Sequence, residues 1–190
     1  MESFEHVVKV YLESKGYVVT ANVKFPVKVR TTKKARIEHQ THGYEVDIVA
    51  ARRDRLLLAS VKSFFGSAGV SKNGFTALST NSDKRHISLY AIFNKTKLRN
   101  QIIKRACERY GYPASAVRLH LFVGRFVKGD EAAIRKLLKR MRVGGESVGV
   151  TGLEEIVSAL VQTADAKTYS NDPVICTLKC LKAAGRLKAS

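Results

Sequence analysis

Tyr44-Glu45-Val46-Asp47-Ile48-Val49-Ala50-Ala51 and Arg55-Leu56-Leu57-Leu58-Ala59-Ser60-Val61-Lys62, joined by Arg52-Arg53-Asp54, decide the fold. Both runs are rich in branched apolar residues and a short polar turn separates them, which predicts two antiparallel strands in a hairpin. Side chains alternate between faces along a strand, so Glu45 and Asp47 share a face, as do Leu58, Ser60 and Lys62. With the turn centred on Arg53-Asp54, Asp47 stands opposite Ser60 and Glu45 opposite Lys62. A slip of two residues, which sets Asp47 opposite Lys62, keeps the arrangement. Only an odd slip destroys it, and that would invert the apolar sets as well. Two acids, a hydroxyl and an ammonium are therefore expected on one patch of sheet. The plain reading of such a patch is a solvated Glu45–Lys62 ion pair, worth little. The alternative is a reactive site, because charges set among Val, Ile and Leu persist only when paired or metal-bound.

Outward from the hairpin, Phe4, Val7, Val8, Tyr11 and Leu12 recur at helical spacing and predict a helix over 2–15, stopped by Gly16. Residues 17–25 read as a strand, and Pro26 as the start of a basic loop. Gly66, Gly69 and Gly74 mark a flexible loop after the hairpin. Helices are expected from Asp83 to Phe93 and from Thr96 to Tyr110, and a strand over Val117–Phe126. A helix at about 130–142, a short strand near Val148 and a helix from about Leu153 to Ala164 follow. A last helix opens at Asp172-Pro173, where proline suits the first position. Interleaved helices and strands predict an α/β fold with a mixed sheet flanked by helices. The 190 residues form one domain, with a core over 1–126 and a C-terminal extension over 127–190 packed on it.

Charge bounds the function. Thirty-four Lys and Arg oppose sixteen Asp and Glu, for a formal +18 and a pI near 10.1. That much like charge repels itself, so a polyanionic partner is expected, and nucleic acid leads. A membrane surface fits less well, because no basic amphipathic helix carries a bulky aromatic face. No run approaches a membrane span, and Glu2, Glu5 and His6 break any secretory leader, which implies an intracellular, cytoplasmic protein. Three cysteines without paired spacing argue against a disulfide framework and read as buried thiols. His39 and His42 lack the partners of a zinc site.

Taken in order, Phe4-Glu5, Glu45-Val46-Asp47-Ile48-Val49 and Ala59-Ser60-Val61-Lys62-Ser63 resemble the PD-(D/E)xK nuclease superfamily, nearest its resolvase-like and restriction-endonuclease-like members. The resemblance covers roughly residues 1–125 and implies a restriction-endonuclease-like core. It also implies a metal-dependent DNA endonuclease using Mg or Mn, acting on double-stranded or branched DNA, with a homodimer as a possible assembly. Carried over by position, Glu5 matches the helical acid, Asp47 the metal-binding Asp, and Lys62 the motif lysine. Ser60 stands where the family has Glu, Asp or Gln, and Val46 replaces its proline. A hydroxyl is a far poorer ligand than a carboxylate for a hard cation that generates hydroxide and polarises a phosphoryl oxygen. Two outcomes follow. Either Glu5 and Glu45 join Asp47 as metal ligands and Lys62 activates water, or the fold keeps its DNA groove and binds without cutting. An RNA-binding module is disfavoured, since no RNP-type aromatic strand or GXXG loop is present.

The basic segment 24–36 holds Lys28, Arg30, Lys33, Lys34 and Arg36 with no acid and suits phosphate contacts along the rim of the site. Lys97 and Arg99 open a second basic patch that continues through Lys104, Arg105 and Arg109, and Arg135 to Arg142 form a third. Phe64-Phe65 either covers the core edge or stacks on bases.

Overall fold

The structure, a computed structural model, describes residues 2–33, 36–80 and 84–187, with the side chains of 30–33, 36–39 and 84 left out of the description. Helix α1 (Ser3–Ser14) is followed by strands β1 (Val18–Lys33), β2 (Arg36–Arg52) and β3 (Arg55–Lys62). Helices α2 (Lys84–Ser88), α3 (Ala91–Asn94) and α4 (Thr96–Tyr110) lead to β4 (Val117–Val123). Then come α5 (Glu131–Arg140), the two-residue strands β5 (Arg142–Val143) and β6 (Glu146–Ser147), β7 (Gly149–Gly152), α6 (Leu153–Asp165) and α7 (Pro173–Ala183). The main sheet runs β1-β2-β3-β4-β7, antiparallel across its first three strands and parallel from β3 onward. This is the expected mixed sheet flanked by helices.

Each face of the sheet has its own apolar layer. Val23, Phe25, Val27, Leu56, Leu58, Leu119 and Leu121 pack with Phe93, Ile102, Ala106 and Ile134 from α3, α4 and α5. Ile48, Ala50, Leu57, Ala59 and Phe122 pack with Phe4 and Val8 of α1, Ile156 and Leu160 of α6 and Ile175 of α7. The C-terminal helices thus share a core with the first helix. Asp172 fixes α7 by accepting from the amides of Val174 (2.9 Å) and Ile175 (3.3 Å), the usual work of an N-cap. Its second oxygen lies 3.1 Å from His6 Nε2 on α1. Among the described residues no helix is long and apolar enough to cross a membrane.

Four expectations need correction. The segment after Pro26 is not a loop. β1 and β2 form a long hairpin arm, paired from Val18↔Ala51 out to Lys33↔Arg36, so the second strand begins at Arg36 and not at Tyr44. Val23, Phe25, Val27 and Val29 keep period two straight through Pro26, and β1 is the sheet's edge strand, where a missing N–H is tolerated. The expected helix 83–93 is two short helices broken at Leu89-Tyr90, with Asp83 outside the described residues. The glycine loop is pinned. Val70 donates to the Arg125 carbonyl (2.8 Å) and accepts from Val127 (3.0 Å), while the Asp130 carboxylate receives Ser71 Oγ and the Lys72 amide. A Cβ on Gly69 (φ 110°) would fall 2.7 Å from the Phe126 carbonyl carbon, which is why the chain can pass so close. Finally, Cys180 is exposed, and Cys107 and Cys176 are only part-buried.

Candidate functional site

The β2–β3 turn is Arg53-Asp54, flanked by Arg52↔Arg55, and the ladder runs in the expected register to Ile48↔Ala59, where it stops. On the other side, β1 and β2 pair at Ala21↔Ile48 and Val23↔Val46 but not at Asn22 and Asp47 between them. Asn22 there has φ 55°, a left-handed conformation that Asn tolerates better than most residues. Both strands change face at this point. Val46 packs in the first apolar layer and Ile48 in the second, although strict alternation would keep them together. Tyr17 and Val19 likewise belong to the second layer and Val23 to the first.

The interrupted pairing frees Asp47 to complete the ladder with its side chain. Its Oδ2 accepts from the Val61 amide at 2.6 Å, from Ser60 Oγ at 3.1 Å and from Lys62 Nζ at 3.2 Å. The Asp47 and Lys62 side chains are about four-fifths buried, and Ser60 is buried. The three residues meet at the end of β3, as expected from the sequence. Beyond Lys62 the chain is held tightly. The Lys62 carbonyl accepts from Gly124 (2.8 Å), whose missing Cβ would lie 2.4 Å from the Ser63 carbonyl oxygen. Phe64 has φ 48°, strained for an aromatic residue, and packs on the first layer. Phe65 is half exposed and meets Phe4 edge-on, centroids 5.2 Å apart.

Glu45 does not join this cluster, and among the described hydrogen bonds Glu5 makes none to it. Because of the face change, Glu45 falls on the side of β2 away from Val46 and the first layer, whereas Ser60 and Lys62 share the side of Leu56 and Leu58. Its partners are Lys24 Nζ (3.8 Å), directly opposite on β1, and Asn22 Nδ2 (3.3 Å), so the expected opposition to Lys62 is lost. Glu5 is buried and accepts from the Glu2 amide (3.0 Å), closing the first turn of α1. Among the described residues no three His, Cys, Asp or Glu are gathered as a metal-binding group. Magnesium and manganese need several hard oxygens. This cluster supplies one carboxylate, with one oxygen already in three hydrogen bonds, one hydroxyl and a competing ammonium. Asp47, Ser60 and Lys62 by themselves do not make up the oxygen set that a divalent cation needs.

A wide groove of about 1220 Å³ runs between the hairpin arm and the start of α4. Lys28, Lys95, Lys97 and His42 line it together with Tyr44, and no acid lines it among the described residues. The three lysines are exposed. α4 begins there without a side-chain N-cap, so its first amides add positive potential. Burial, with the Asp47 charge adding to it, raises the phenol of Tyr44 in this groove above the ordinary range. Gln101 ties arm to helix, receiving the Lys28 amide on its oxygen (2.8 Å) and donating its amide to the Lys28 carbonyl (3.1 Å).

The basic residues named from sequence divide sharply. Lys28 and Lys97 stand in the groove. Arg99 does not contact solvent there and is withdrawn as a phosphate ligand. It is buried, and its guanidinium donates to the carbonyls of Ile92 (3.2 Å) and Phe93 (3.0 Å) and to Thr96 Oγ1 (3.2 Å), satisfying the short helix α3. The side chains of Arg30, Lys33 and Arg36, and the whole of Lys34, lie outside the description. Arg135, in the third patch, is held by Glu131 (2.8 Å), Glu155 (2.6 Å) and the Val150 carbonyl (2.8 Å). Sequence reasoning overlooked Lys95, Tyr44 and Gln101. Lys95 was discoverable as the residue that precedes the expected helix start at Thr96, while Gln101 carried no signal.

No protein-family model matches the chain, and no curated protein does. Among solved structures the chain is similar to the crystal structure of a protein of unknown function, AF1548, at 13% identity and a TM-score of 0.43, covering 96% of this chain and 77% of that one.

Proposed function

We propose that the protein binds DNA, with the duplex backbone along the groove between the hairpin arm and α4. The observation that carries this reading is the groove itself, with Lys28, Lys95 and Lys97 exposed around an uncapped helix start and no acid among its described lining residues. Each lysine that neutralises a phosphate releases condensed counterions, and a chain at +18 loses self-repulsion when it does so. The arm and the helix are joined by Gln101, so the phosphate ligands are presented from a fixed frame.

One observation favours a second reading, phosphodiester cleavage. Asp47, Ser60 and Lys62 come within hydrogen-bonding distance at a strand end, the three positions that the nuclease resemblance picks out. In the cluster Asp47 holds the Lys62 ammonium in place and the Val61 amide orients the carboxylate. Lys62 is thereby set to contact a phosphoryl oxygen. Binding and cleavage of plasmid and branched DNA, with and without Mg or Mn, test both readings on native protein, Asp47→Asn, Lys62→Ala and Ser60→Glu. Binding by all four with no cutting establishes the DNA-binding reading alone. Cutting by native protein that Asp47→Asn and Lys62→Ala abolish establishes the second. Failure of native protein to bind DNA ends both.

A further inference from the structure

A second concave site lies at the other end of β3, about 23 Å from Lys62 along the strand at roughly 3.3 Å per residue. Its volume is about 540 Å³, within the usual range for small-molecule sites. Tyr11 and Tyr17 form aromatic walls, and cations crowd both. Lys15 Nζ stands 5.7 Å from the Tyr11 ring centre and the Arg52 guanidinium 5.2 Å from that of Tyr17. The floor is polar. His120 stacks on Phe122 with centroids 4.4 Å apart and its Nε2 lies 2.8 Å from Thr151 Oγ1. The Gly149 backbone packs against the ring, and a Cβ there would fall 2.2 Å from His120 Nδ1. Burial holds His120 neutral at pH 7, with its pKa pushed down to about 4, so the ring adds no charge to the floor.

The cations are not equivalent. Arg52 and Arg55 share the Asp54 carboxylate, at 3.1 Å and 2.6 Å, and Arg118 donates to backbone carbonyls of Ser115, Val117 and Gly144. Two guanidiniums against one carboxylate leave a net positive charge, and Lys15 adds another. Glu146 is the acid among the described lining residues, placed to accept from hydroxyl or amino groups. A ligand matching this set has a flat aromatic ring for Tyr11 and Tyr17, an anionic group for Lys15 and Arg52, and donors for Glu146. We infer that the site takes a nucleoside monophosphate unit, either as a free nucleotide or as the 5′-phosphorylated end of a strand.

The chain has seven tyrosines and no tryptophan, so tyrosine fluorescence reports the site, with calorimetry as the second measurement. The probes are adenosine monophosphate, adenosine, inorganic phosphate and a short 5′-phosphorylated single-stranded DNA. Saturable binding of adenosine monophosphate is expected, with adenosine and phosphate each at least about tenfold weaker. Tyr17→Ala should weaken it roughly tenfold, the scale of a lost aromatic stack on a base. Lys15→Ala should weaken it without altering adenosine binding. Lys15 is exposed and Tyr17 half-buried against the second layer, and thermal melting verifies that the variants fold. Competition by the phosphorylated strand, lost in the same variants, identifies a strand end as the source; its absence identifies the free nucleotide. Lys97→Ala, in the distant groove, should leave all of this unchanged, so the outcome is independent of the DNA-groove reading. Absence of saturable binding by native protein, or binding indifferent to both Tyr17→Ala and Lys15→Ala, overturns the proposal.

Discussion

Replacing Lys28, Lys95 and Lys97 together with Ala measures how much of DNA binding resides in the groove. All three lysines are exposed and form no salt bridge among the described residues, so stability should stay within about 0.5 kcal/mol of native, as for ordinary surface changes. If each neutralises one phosphate, the log–log salt slope should flatten by about 2.7, at about 0.9 per contact. Over a fourfold rise in salt, from about 50 to 200 mM, native protein should therefore lose about 40-fold more affinity than the triple variant. Fluorescence anisotropy on a labelled duplex across that range gives both slopes. The loss should be the same for unrelated sequences, since phosphate contacts carry no base information. A triple variant with the native slope and affinity would refute the groove as the contact surface, whatever the net charge of the chain.

Arg99→Met should lower stability by about 2–4 kcal/mol in urea unfolding, because three acceptors lose a buried donor, while the DNA salt slope stays native. A neutral effect on stability with a flattened slope would return Arg99 to the phosphate ligands. Asp172→Ala removes the α7 cap and the His6 contact and should cost about 1–2 kcal/mol, read by the shift in melting temperature. The His120 pKa is depressed in the folded state, so its contribution is fully present above about pH 6.5 and is lost as pH falls through about 4. The full loss is about 3 kcal/mol as an upper bound, since the ring is part-exposed. Native protein should thus lose stability relative to His120→Gln between pH 6.5 and 4, and a constant difference across that window would contradict the assignment.

The hairpin over 44–62 was legible because each signal agreed: branched residues, a short polar turn and matched apolar sets fix the register that brings Asp47 to Ser60 and Lys62. Glu45 was misplaced because period-two reasoning assumes unbroken pleating, and the face change at Asn22 and Asp47 leaves no mark that a single sequence reveals. Pro26 misled in the opposite direction. Its restriction ends a central strand but not an edge strand, and which strand lies at the edge is a property of the whole sheet. Arg99 shows the limit of counting charge along a helix. Leu98, Arg99 and Ile102 turn toward the protein, and only the carbonyls left open where α3 ends at Asn94 explain why a guanidinium goes with them. The basic composition pointed to a polyanion but could not choose a surface, because that choice depends on which cations are already paired, as Arg135 is.

Gln101 has an effect beyond bracing the arm. By giving and receiving one hydrogen bond at Lys28, its amide behaves as a single residue of a neighbouring strand laid against the open edge of β1. Pro26, two residues earlier, offers no N–H to extend such a ladder. An open edge strand is otherwise a template for pairing with another chain, and natural sheets blunt it with prolines, charges or covering groups. Here the covering group comes from the helix beside the groove, so a strand from a second molecule that sought to lengthen this sheet would first have to evict Gln101.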